Sequence, residues 1–191
     1  MTTLLAQSRF LSARRSASAA ACAVLLTGLS GCVVTFSDKA ETPVPAALDA
    51  GPNTRLLGTL SASGVQIYEC RQDVSAVAPA WVFVAPEAEL FDQHGRPAGT
   101  HGAGPFWLSV NGSRVVGTVR ARADAPQPDA IPWLLLATQS TGGQGVLSAV
   151  TYIQRVRTEG GVVPVGGCAA ANLGQRVRMP YRADYRLFTS I

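Results

Sequence analysis

Lysine is almost absent from this 191-residue sequence: Lys39 stands alone against fifteen arginines. Histidine is nearly as scarce, with only His94 and His101. After Cys32 no stretch keeps a 3.6-residue apolar period for more than two turns, which argues against a helical bundle and against folds that alternate strands with helices. No Gly-x-Gly-x-x-Gly opens a helix after a strand, and no Gly-x-Ser-x-Gly elbow is present. Dinucleotide-dependent dehydrogenase chemistry and an α/β-hydrolase site therefore have no sequence support. The formal charge of +4 carries little weight, because three of the arginines (Arg9, Arg14 and Arg15) lie in the first 31 residues, where there is no acid. Beyond residue 31 there are 13 basic and 12 acidic residues, a balance that speaks against nucleic acid as a partner.

What is present begins at the N-terminus. The three arginines precede an apolar run of about eleven residues, 19–29, the length of a signal h-region and short for a membrane span. Leu29-Ser30-Gly31-Cys32 follows and resembles a bacterial lipobox. That resemblance implies cleavage before Cys32 and lipidation of its thiol, so residues 1–31 read as a lipoprotein signal peptide. The membrane is then a partner through the N-terminal lipid, and two or three acyl chains make a stable anchor. Val33 is not the aspartate that retains many lipoproteins in the inner membrane, so the outer membrane, on its periplasmic face, is the expected site. An uncleaved membrane helix and an ordinary cleaved signal peptide are the two alternatives.

Residues 32–53, rich in Ala, Pro, Thr and Asp, read as a flexible tether from the lipid. Residues 54–191 read as one β-rich domain. Short apolar runs recur, broken by Gly, Pro and Asn: 56–60, 65–70, 81–84 (stopped by Pro86), 87–91, 106–110, 113–119, 131–137, 148–157, 175–179 and 183–188. Asn111-Gly112 between two of them is a strong hairpin signal. The run at 131–137 is apolar throughout, so both of its faces are expected to be covered. The fold class is all-β, an antiparallel sandwich or a partly open barrel. Cys70 and Cys168, an even pair in an exported chain, are expected to form a disulfide; a shared metal is the weaker rival.

Several runs stand together in family order: Val65-Gln66-Ile67-Tyr68-Glu69-Cys70, Pro86-Glu87-Ala88 with Leu90-Phe91-Asp92, His101 with Gly104-Pro105 and Trp107, Ile131-Pro132-Trp133, Val150-Thr151-Tyr152-Ile153-Gln154-Arg155, Cys168, and Pro180-Tyr181 with Ala183-Asp184-Tyr185. As a set they resemble the secreted bacterial and fungal family catalogued as domain of unknown function 3455, over roughly residues 55–188. The resemblance implies no activity and no catalytic residue. A dehydrogenase label carried by some similar fungal proteins has no counterpart in this sequence.

Three functional expectations follow. The first is a lipid-anchored domain that binds an envelope ligand or protein partner, with no cofactor; Trp107 and Arg155 are its candidate ligand-binding residues. Trp107 is the tryptophan most expected at an open face, whereas Trp133 is expected in the core. For Arg155 an internal ion pair with Asp184 or Glu69 competes with a substrate clamp, because buried arginines are seldom left unpaired. The second is a metal-assisted hydrolase in which Asp92, His94 and His101 hold a divalent metal and an activated water. The third is a purely structural envelope protein.

Overall fold

The computed structural model describes residues 42–191. The lipobox, the lipidation of Cys32 and the first part of the expected tether lie outside the described residues. Eight strands follow one another: β1 (Thr54–Arg71), β2 (Ala80–Phe91), β3 (Pro97–Gly102), β4 (Phe106–Ser109), β5 (Arg114–Ala123), β6 (Trp133–Gly142), β7 (Tyr152–Gly160) and β8 (Arg176–Ser190). Each pairs antiparallel with the next, and β8 returns to pair with β1 from Thr54 to Glu69. The expectation of one all-β antiparallel domain is borne out, and the barrel is closed rather than partly open. Closure removes the unpaired edges that an open sheet would present.

Fewer, longer strands form than the turn residues predict. The runs 56–60 and 65–70 are one strand, β1, because Gly64 is a packing position and not a turn. A Cβ on Gly64 would lie 2.1 Å from the Glu87 carbonyl oxygen, so only glycine lets β1 and β2 approach this closely. Pro86 does not end β2; the strand continues through it beside a bulge opposite Ile67 and Tyr68, a place where proline is tolerated in a sheet. The Asn111-Gly112 hairpin forms between β4 and β5, with Gly112 at φ +87°.

The interior is packed by Ala62, Leu90, Val115, Ile153, Ala183 and Leu187, among others. A second cluster lies on the outer face of β6 and β7, where Trp133, Leu135 and Val156 are covered by Leu48, Val44 and Ala50. Both faces of the run at 131–137 are therefore covered, as expected. The covering segment corrects the tether reading for its described part. A 3-10 turn at Ala46–Leu48 docks on the barrel, Leu48 is fully buried, and its carbonyl accepts a 2.5 Å hydrogen bond from Gln154 Nε2.

The two barrel ends differ. At the end carrying the β4–β5 hairpin, a 3-10 turn at Val146–Ala149 sets buried Leu147 as a plug. Ser109 and Ser113 hydroxyls both bond the Asn111 side chain, and Leu147 N donates to Ser113 Oγ at 3.3 Å. The opposite end carries the longer connections, 72–79, 124–132 and 161–175. The predicted disulfide is present there: Cys70, near the end of β1, is joined to Cys168 with Cα atoms 5.4 Å apart. Trp81 Nε1 donates to the Gly166 carbonyl at 2.7 Å, a second tie on the same loop.

Candidate functional site

An eight-stranded barrel is just wide enough to be filled by its own side chains or to hold one small ligand. This one is filled at the plugged end. Towards the other end it opens into a cavity of about 1000 Å³, at the top of the size range of small-molecule sites. Phe83 and Val163, each about half exposed, stand at its rim, while Trp107 and Tyr185, each 1% exposed, lie at its floor. The cavity thus runs from the surface into the barrel.

Three rings build the floor. His101 on β3 and Trp107 on β4 are direct cross-strand partners, and their rings stack at 4.4 Å between centroids. Tyr185 on β8 closes against both, 5.0 Å from His101 and edge-on to Trp107 at 5.4 Å. Gly117 on β5 makes room for the indole, since a Cβ there would lie 2.9 Å from the Trp107 ring. His101 Nδ1 lies 2.7 Å from the Phe106 carbonyl oxygen. A carbonyl only accepts, so Nδ1 carries the proton and, in the neutral ring, Nε2 is an acceptor. Burial lowers the imidazole pKa to about 4, with the Arg155 charge acting the same way and the Phe106 carbonyl acting against both. At neutral pH the ring is uncharged.

Arg155 enters this apolar surround from β7. Its cross-strand partners are Leu134 on β6 and Tyr185 on β8, both inward-facing positions. Its Nε and Nη2 donate to the Pro132 carbonyl at 3.1 and 2.8 Å. Its charge acts on Tyr68, His101, Tyr181 and Tyr185 together. The Tyr181 and Tyr185 hydroxyls lie 3.3 Å apart, and burial raises the pKa of both phenols. Among the described residues three buried side-chain nitrogens have no hydrogen-bond partner: Gln66 Nε2 and Trp107 Nε1, on residues that line the cavity, and Trp133 Nε1, which does not line it.

The ion pair expected for Arg155 is not formed. Asp184 pairs with Arg157, and Glu69 with Arg71 and Arg176. The reason is strand phase: Asp184 lies opposite Val156, on the other face from the Arg155–Tyr185 pair. A bulge after Val156, with Arg157 at φ 48°, brings Arg157 and not Arg155 to that carboxylate. Trp107 is also corrected, from an open-face residue to a buried one. Gln66, between Val65 and Ile67 on β1, points inward at 2% exposure, with Tyr68 beside it at 7%. Beside the cavity the barrel interior is polar and aromatic, so apolar alternation names the wrong face.

The proposed metal ligands do not converge. Asp92 sits in the β2–β3 turn at the plugged end. Its Oδ1 accepts backbone N–H bonds from His94 and Arg96, and its Oδ2 pairs with Arg96 at 2.7 Å. His94 is exposed at that turn, whereas His101 faces the barrel interior towards the other end. Among the described residues no three His, Cys, Asp or Glu side chains cluster as a metal site would require. Gln66 was missed as a site residue; its one sequence signal is that it lies in a run that carries the family resemblance.

Fold and cavity together define a closed antiparallel β-barrel with a mouth cavity floored by aromatic rings and lined by two arginines, Arg122 and Arg155. Residues 51–189, almost the whole barrel, match the family described as protein of unknown function (DUF3455), and the chain belongs to that family. No curated protein matches it.

Proposed function

We propose that the chain is a lipid-anchored binding protein of the bacterial cell envelope, held at the periplasmic face of the outer membrane through Cys32, which takes a small molecule into the barrel mouth. The cavity carries this reading: a space of about 1000 Å³ at one barrel end, with mostly apolar walls and a few convergent polar groups. The lipobox supports the anchoring, and the Cys70–Cys168 disulfide suits an oxidising compartment. The test is a thermal-shift screen of the full chain against a small-molecule library, with Val119→Trp beside it. Val119 lines the cavity and is half exposed, so an indole there fills the mouth without entering the packed interior. A ligand at a hundred times its dissociation constant stabilises the folded state by roughly 2.7 kcal/mol. Shifts in the wild type that vanish in the Val119→Trp variant are expected. No stabilising compound, or shifts that persist in the filled variant, would overturn the reading.

A further inference from the structure

We propose that the mouth cavity selects a monoanionic organic acid with a flat apolar body, its acid group held by Arg155 and its body lying in the apolar mouth against the Phe83 ring, above the buried His101, Trp107 and Tyr185. This rests on the reading of the cavity as a ligand site. Three observations carry it. The first is the state of Arg155, a half-buried cation that forms no ion pair among the described residues. Two of its five N–H donors go to the Pro132 carbonyl, and Tyr185 is its other close polar neighbour. Neither is an anion; Asp184 and Glu69 are committed to other arginines, and Asp124, the carboxylate in the cavity lining, forms no ion pair with it. A cation withdrawn from water without a counter-charge is unfavourable, and a bound carboxylate or sulfonate removes that penalty.

The second observation is the sign of the unmet hydrogen bonding. Two partnerless buried nitrogens, Gln66 Nε2 and Trp107 Nε1, lie beneath the cavity surface on lining residues only 2% and 1% exposed, and both are donors. With Arg155 they make a site rich in donors, which an oxyanion, an acceptor at every oxygen, complements. The third is the remaining wall. Phe83, Ile131, Leu134 and Leu136 beside the aromatic floor are unsuited to a small hydrated ion such as inorganic phosphate. They suit an apolar body that packs against the half-exposed Phe83 ring.

A matched probe pair tests this: 8-anilinonaphthalene-1-sulfonate, and N-phenyl-1-naphthylamine, which keeps the same rings and lacks the sulfonate. Both are titrated by fluorescence into the full chain at low salt, with circular dichroism confirming the native fold. The wild type is expected to bind the sulfonate at least tenfold more tightly than the neutral amine. Arg155→Met should lose that preference while keeping the amine affinity within about twofold, and Arg155→Lys should keep part of it. Equal affinity for the two probes in the wild type would overturn the anion selection while leaving the cavity a binding site. Binding of neither probe would overturn the binding reading as well. Should Arg155→Met fail to fold, the wild-type comparison and Gln66→Leu decide. Gln66→Leu removes one donor and is expected to weaken the sulfonate alone; equal weakening of both probes would count against the proposal.

Discussion

Because the imidazole of His101 is neutral at the cavity floor, mild acid acts on stability through this residue. Its pKa falls from an ordinary 6.5 to about 4 on folding, so between those values the unfolded chain binds the proton and the folded chain does not. Stability then rises with pH across that window, and it is lost as pH falls from 6.5 towards 4. The loss between pH 7 and pH 4.5 should be about 2 kcal/mol in urea unfolding. Asp92 does not confuse the window. Arg96 holds its carboxyl down to about 2, so its contribution is lost only as pH falls from 3.8 towards 2. In His101→Gln, which keeps a donor for the Phe106 carbonyl, the slope between pH 7 and 4.5 should flatten. An unchanged slope would mean that the proton binds elsewhere. At this scale the sequence names His101, Trp107 and Arg155 but misassigns their surroundings. Histidine scarcity drew His101 to its sequence neighbours Asp92 and His94, while β3 carries it away from both, into the interior.

At the scale of elements, hairpin chemistry and apolar runs locate the strands, and their lengths go wrong where a glycine or proline serves packing. Gly64 and Pro86 punctuate the sequence but not the sheet, because one permits close backbone approach and the other sits beside a bulge. Bulges also set which side chain faces inward, and the one after Val156 decides that Asp184 meets Arg157. Nothing in local composition marks that bulge. The segment at 44–50 was hidden for a related reason: its prolines and alanines look unstructured, and only the exposed apolar face of β6 and β7 gives them a partner. Leu48 is the anchor of that contact, so Leu48→Ala should lower the unfolding free energy by about 2 to 5 kcal/mol, as for other fully buried leucines. Urea denaturation with an unchanged m-value checks this. A loss under 0.5 kcal/mol would show that the segment is not part of the cooperative unit.

For the whole molecule, the asymmetry of the barrel ends is the organising fact. Polar side chains and Leu147 seal one end without help, whereas the other end owes its shape to a long connection, residues 161–175, that cannot bury a core of its own. That connection is fastened at Cys168 by the disulfide, at Gly166 by Trp81, and near its end by the backbone pair between Cys70 and residues 174 and 175. Val162 and Val163 from it line the cavity, so the fastening and the mouth are one structure. The bond joins residues 98 apart, a separation for which the chain-entropy argument gives roughly 4 to 5 kcal/mol. Reducing it, or replacing both cysteines by serine, should therefore lower the unfolding free energy by about 2 to 5 kcal/mol, the span found for native disulfides. A local effect should accompany the global one. Hydrogen exchange in the cysteine-free chain is expected to accelerate most across 162–172, and least at the Ser113–Leu147 plug, which has no connection to the disulfide. Uniform acceleration at both ends would mean that the bond acts only on the unfolded chain. Faster exchange confined to the mouth, with anionic-probe affinity falling alongside it, would tie the disulfide to the cavity itself.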